Sequence, residues 1–213
     1  MKILNILIFC IIISTFAGCS ENGNITNADS SSLHNINLNE EEKKQLERES
    51  QTLWTVLDKD GNDKEMLQSN NEDVNKIIDI IEKHCLTVDN RDFKDLDVED
   101  EYDLYSYNFI KKLENENYKE LVNNMYKDNK LVLNHKNLIW YRNYFNEDMT
   151  TCKVTIESEF VIDKANKDYL DKNKMNLDEV YQEKRVYYVE KLENEWKIVN
   201  IEKGALTKRN QAG

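Results

Sequence analysis

The chain offers few residues from which chemistry could be built. Its three histidines, His34, His84 and His135, are far apart, and none has a cysteine at metal-ligand spacing. No nucleophile elbow, phosphate-cradling glycine loop, HExxH or paired CxxC motif occurs. The expectation is therefore no catalytic residue, no cofactor and no metal site. His135, between Asn134 and Lys136, reads as a surface residue at a turn, although an imidazole beside a carboxylate is able to act as a base. Carboxylates are so plentiful, at 41 Asp plus Glu, that no pair of them stands out. Asp58, Asp60 and Asn62 alternate as in a calcium loop. Gly61 is out of place, however, and Ser69 stands where a closing bidentate Glu belongs, so the segment reads as a solvated turn. Trp140, Tyr144, Tyr188 and Trp196 would line a pocket if the fold left one open; otherwise aromatic strand residues are ordinary sheet core.

Four cysteines occur, Cys10, Cys19, Cys85 and Cys152. The first two lie in or at the end of an apolar N-terminal run. Cys85 and Cys152 fall on apolar stripes, where a reduced thiol packs as a small hydrophobe. Helix-on-sheet packing would also be able to bring these two together as a disulfide.

The elements that would carry these residues are read from composition and periodicity. The 213 residues are 39% hydrophobic and 33% charged, with a formal net charge of −12. That is enough apolar material for one core. The acidic balance argues against nucleic acid, since no positive field exists to displace counterions from phosphate. It argues equally against electrostatic docking on anionic lipid.

At the N-terminus, Lys2 precedes an apolar stretch from Ile6 to Ile13 and then the small residues Ala17 and Gly18. This is the pattern of an export signal, too short to span a bilayer comfortably. Residues 1–18 read as signal and 19–39 as a flexible tether, with His34 a solvated side chain within it. A coil of that length spans roughly 25 Å. Residues 40–207 read as a single domain and 208–213 as a tail.

Within the domain, Asn39 and Glu42 have the spacing of a capping box. A helix is expected to follow, with Leu46, Leu53, Trp54 and Leu57 on one stripe, ending at the turn cluster 58–63. A second helix from Glu72 carries Val74, Ile77, Ile78, Ile81 and Cys85, with His84 at the boundary of the stripe. A third, Glu99 to Leu113, has an acidic first turn suited to the helix dipole. A fourth, Tyr118 to Tyr126, presents Tyr118, Leu121, Val122 and Met125. Beyond Leu131 the period falls to 2. Strands are expected over Asn137–Phe145 and Thr150–Asp163, then Val180–Leu192 and Trp196–Glu202, with turns at 146–149 and 193–195. Helices followed by a meander predict an α+β fold, with N-terminal helices packed on a curved antiparallel sheet.

Two resemblances bear on function. Phe16-Ala17-Gly18-Cys19 resembles the lipobox of bacterial lipoproteins. It implies cleavage after Gly18, a diacylglyceryl group on the Cys19 thiol and attachment to the extracytoplasmic face of the cell membrane. Two acyl chains suffice for stable anchoring where one does not. The closing hairpin, Arg185-Val186-Tyr187-Tyr188-Val189 through Trp196-Lys197-Ile198, resembles that of nuclear transport factor 2-like (cystatin-like) domains, as does the Thr87–Leu96 segment after its helix. This implies a cone-shaped domain that often holds a pocket, in a superfamily of enzymes, binding modules and scaffolds.

The function expected from these features is a non-catalytic, membrane-anchored binding or assembly module, its protein partner or small ligand unidentified. The alternatives are a small-pocket isomerase or dehydratase of the same fold and an acidic cation-binding surface protein. Val186 and Tyr188 on one face of their strand, with Tyr187 and Val189 on the other, suggest a strand covered on both sides or a face kept for a second copy, a homodimer.

Overall fold

The computed structural model describes residues 54–68 and 70–209. The export signal, the lipobox with Cys19, the tether and the helix expected over 40–53 all lie outside them. Seven strands and four α-helices follow in the order β1 (Trp54–Leu57), β2 (Asp63–Leu67), α1 (Glu72–Asp89), a 3-10 turn (Glu99–Leu104), α2 (Tyr107–Asn115), α3 (Tyr118–Asn129), β3 (Val132–Trp140), β4 (Asn143–Phe145), β5 (Thr151–Lys164), α4 (Lys167–Asn173), β6 (Val180–Leu192) and β7 (Glu195–Lys208). The fold class is α+β. Among the described residues no helix is long and apolar enough to cross a membrane.

All strands form one sheet in the order β2-β1-β4-β5-β6-β7, with β3 also pairing β5. Every pair is antiparallel except β1–β4, which is parallel. β5 is the longest shared rail: β4 takes Cys152 and Lys153 on one edge, β3 takes that edge from Ile156 to Lys164, and β6 runs along the other. Strict alternation in β5 buries Cys152, Val154, Ile156, Ser158, Phe160 and Ile162 on one face. The β6–β7 hairpin closes through Leu192 and Glu195 around Glu193 and Asn194, both at positive φ (51° and 70°). That is the twist a two-residue hairpin loop requires.

Helix α1 starts where Asn71 accepts hydrogen bonds from the backbone of Asp73 and Val74. Its Val74, Ile77, Ile81 and Cys85 are buried with Ile156, Tyr187 and Ile198 of the sheet in one core cluster. Each large apolar side chain so buried contributes about 1.5–3 kcal/mol. A smaller cluster at the far end joins Val122 and Tyr126 of α3 to Phe160, Ile162 and Tyr181.

Five expectations from the sequence need correction. Trp54–Leu57 is a strand, not the end of a helix. Trp54 and Val56 point into the core at period 2, and the backbone is held by β2 and β4 on its two edges. The helix expected over 99–113 is broken: the chain is extended at Tyr105, and Ser106 starts α2 by accepting from the Phe109 amide. The expected strand 137–145 divides at Tyr141–Arg142, and β3 begins earlier, so His135 lies in a strand rather than a turn. On α3, Leu121 and Met125 face solvent (45% and 41% exposed), and Val122 and Tyr126 carry the buried stripe. Finally, β7 reaches Lys208, and Arg209 beyond it bonds Glu159, so the domain continues past 207.

Candidate functional site

The densest set of chemically capable side chains lies between α1 and the sheet, and it is polar. Helical spacing from Cys85 brings Asp89 to the same inward face one turn later. Alternation along β6 turns Arg185 inward with Tyr187 and Val189. The two meet: Arg185 donates through both terminal nitrogens to Asp89, at 2.8 and 2.7 Å, and through Nε to Glu183 at 2.6 Å. Ser158 of β5 donates to Asp89 Oδ2 at 2.6 Å, and His135 Nδ1 stands 3.8 Å from the same oxygen. Burial alone would raise the Asp89 carboxyl. The charge of Arg185 and the hydrogen bonds from Arg185 and Ser158 outweigh it and hold the group below the usual carboxylate range.

One turn back on α1, His84 is only 1% exposed and not the boundary residue expected. Its Nδ1 is 2.9 Å from the Tyr187 hydroxyl and its Nε2 is 2.8 Å from that of Tyr105. Tyr187 also reaches Cys85 Sγ at 3.3 Å. Burial first, then the charges of Arg185 and Lys203, push the imidazole well below its ordinary value. Burial likewise pushes up the hydroxyls of Tyr105 and Tyr187 and the Cys85 thiol.

The 3-10 turn adds Glu101, one of the acids expected in the first turn of the helix from Glu99, which is fully buried. Arg91 donates to Glu101 Oε1 at 2.7 Å. Glu101 Oε2 makes no hydrogen bond among the described residues and lies 3.7 Å from His84 Nε2. The result is a hydrogen-bonded polar cluster in which the buried carboxylates Asp89 and Glu101 and the partly buried Glu183 each meet an arginine.

No protein-family model matches this chain, and no curated protein matches it. The geometry therefore carries the functional reading.

The aromatic residues singled out for a pocket do not converge. Trp196 is buried, edge-on to Phe145 at 5.8 Å, and donates to Asp73 at 2.8 Å. Trp140 packs on Trp54 at 6.1 Å. Tyr144 and Tyr188 pair with Lys153 from the strands on either side of it, and the Lys153 ammonium sits over the Tyr188 ring. Cys85 and Cys152 are both buried and free, not bridged. Among the described residues no cluster of three or more His, Cys, Asp or Glu is arranged to hold a metal. Asp58 Oδ1 caps its own turn, accepting from the backbone of Asp60 and Asn62. At the surface, an open groove of about 430 Å³ runs between α2 and the β6–β7 hairpin, lined by Ser106, Asn108, Phe109, Lys112, Glu190, Leu192 and Val199.

Sequence reasoning misses Asp89, Arg91, Glu101, Ser158 and Arg185. Two of these carry a readable signal: Arg185 shares the inward parity of Tyr187 and Val189, and Asp89 follows Cys85 at i+4. A charge in the core register of a strand requires a buried partner.

Proposed function

We propose that this protein is an extracytoplasmic lipoprotein, anchored to the cell membrane by a diacylglyceryl group on Cys19 and cleaved after Gly18, whose folded domain is a non-catalytic binding or assembly module. The observation that carries the anchor is Phe16-Ala17-Gly18-Cys19 directly after an apolar stretch too short to span. Beyond it the chain is polar and acidic and has no electrostatic affinity for anionic lipid, so attachment depends on the thiol. The finer fold proposed is the cone of nuclear transport factor 2-like domains. A seven-stranded sheet with a long helix on its inner face supports it; the parallel β1–β4 pair departs from a pure antiparallel meander.

The binding reading is supported by an interior cluster whose ion pairs and tyrosine hydroxyls are bonded to one another. It is also supported by a surface groove lined in part by Phe109 and the exposed Leu192. The partner, a protein, a small ligand or a second copy, would dock there or on the outer sheet face. Metabolic labelling with an alkyne fatty acid tests the anchor. The wild-type chain takes up label and Cys19→Ala does not; unlabelled wild type, or equal labelling of the variant, overturns it.

One observation favours the enzymatic alternative: His135 Nδ1 beside Asp89, the arrangement of a carboxylate-oriented base. A small-pocket isomerase or dehydratase would use the other ring nitrogen on substrate. Loss of a measured turnover in His135→Gln, with stability retained, would establish that reading over the first.

A further inference from the structure

We propose that His84 is the pin of an acid-released latch: near neutral pH it ties the strap formed by residues 91–106 to α1 and β6 through the hydroxyls of Tyr105 and Tyr187, and it releases the strap when its ring takes up a second proton. The geometry is a three-way joint. Tyr105 belongs to the strap, His84 to α1 and Tyr187 to a central strand, and the imidazole bridges the two hydroxyls at 2.8 and 2.9 Å with no access to water.

Electrostatics set the tautomer. The nitrogen nearer Glu101 is Nε2, at 3.7 Å, and a lone pair facing a carboxylate would be repelled, so Nε2 carries the proton. Nδ1 then accepts from Tyr187. A proton on Nδ1 turns that acceptor into a donor to the Tyr187 oxygen, whose own hydrogen then turns towards Cys85 Sγ, its other neighbour at 3.3 Å. The bridges survive, and what changes is that the buried ring now carries a charge.

The surrounding charges leave no place for the extra proton. On the positive side are Arg91 of the strap, Arg185 of β6 and Lys203 of β7. Against them stand Asp89 of α1, Glu101 of the strap and Glu183 of β6. Burial keeps Cys85 of α1 and the tyrosines 105, 118 and 187 neutral, and His135 of β3 lies on the far side of Asp89, 3.8 Å from its carboxylate. Three cations oppose three anions, and the cluster balances only with His84 uncharged. An uncompensated buried charge is costly, so the protonated ring favours any opening that reaches water.

Of the three elements that meet at His84, the strap is the one that opens, because it alone lacks a continuous helix or strand ladder. Its sheet contacts are the isolated bridges of Asp92 with Val132 and of Tyr105 with Ile198. Tyr187, by contrast, is held by full ladders to β5 and β7. Local opening follows the least-bonded segment.

The test is amide hydrogen exchange of the full chain in detergent from pH 7.5 to 5, corrected for intrinsic exchange rates. Linkage of one proton predicts that protection of residues 91–106 falls about tenfold per pH unit below about 6.5, while β5 and β6 stay protected. In His84→Gln, whose amide does not titrate, the strap shows no such slope. Constant protection in the wild type overturns the latch. So does equal loss in β5 and β6, or a wild-type slope in His84→Gln. Should that variant not fold, the imidazole nitrogen resonances of wild-type His84 decide: a fixed Nε2–H tautomer down to the pH of opening supports the latch, and an ordinary midpoint with the strap still protected refutes it.

Discussion

Removing one partner of the Asp89–Arg185 pair is the most informative perturbation of the fold. Both side chains are nearly inaccessible to solvent, and two charge-assisted bonds of 2.7 and 2.8 Å join α1 to β6. Truncating one member leaves the other charged and desolvated, which costs about 3–5 kcal/mol. A domain of this size is stable by only about 5–15 kcal/mol, so the loss is a large share of the total. Arg185→Met keeps the aliphatic volume and orphans Asp89, which retains the Ser158 bond; Asp89→Asn keeps the shape and orphans one charge of Arg185, which retains Glu183. Unfolding in urea, followed by the fluorescence of the core residues Trp54 and Trp196, would show the midpoint falling by about 1.5–2.5 M for a slope near 2 kcal/mol/M. The double variant Asp89→Asn with Arg185→Met removes both charges, so it should lie well above the sum of the two losses, with a coupling of about 2 kcal/mol or more. Single costs under about 1 kcal/mol, or strict additivity, would refute the buried-pair reasoning.

Three further outcomes follow from the same structure. Asp89 titrates below the usual carboxylate range in the folded state, so its contribution is present above the unfolded value near 4 and disappears as pH falls below it; the slope of unfolding free energy against pH below 4 should be shallower in Asp89→Asn than in wild type. Burial pushes up both Cys85 and Cys152, so neither thiol should react with a disulfide reagent in the native protein, and both should react in urea at equal rates. Glu193 and Asn194 hold positive φ without glycine, so Glu193→Asn with Asn194→Gly should raise stability by about 1 kcal/mol, read as a higher Tm; an unchanged or lower Tm would contradict the turn assignment.

The sheet is more legible in the sequence than the helices or the interior. β5 alternates cleanly from Cys152 to Ser158, β6 buries Arg185, Tyr187 and Val189 at every second position, and Asn146 and Asn194 mark turns by chemistry that needs no tertiary context. Trp54–Leu57 is illegible because four residues fit either period, and its strand state comes from β4, almost ninety residues later in the chain. The 99–113 segment has helical spacing throughout, and its break at Tyr105 is set from outside by the Ser106 amide bonding Ile198 of β7. Leu121 and Val122 are adjacent apolar residues on α3, so sequence alone does not say which the core takes. The interior cluster is hidden for a different reason. Glu101 sits in a run of acids of which its neighbours are solvated, and its partner Arg91 lies in a loop with no periodicity to place it. Burial of a charge is decided by the partner, and that pairing exists only in three dimensions.

The account rests most heavily on Cys19 and on where the mature chain begins. The direct measurement is the mass of the N-terminal tryptic peptide from membrane-extracted protein. The proposal predicts a peptide running from Cys19 to Lys43 and carrying a diacylglyceryl group on the thiol. A peptide that begins at any other residue, or one that begins at Cys19 with an unmodified thiol, would contradict it.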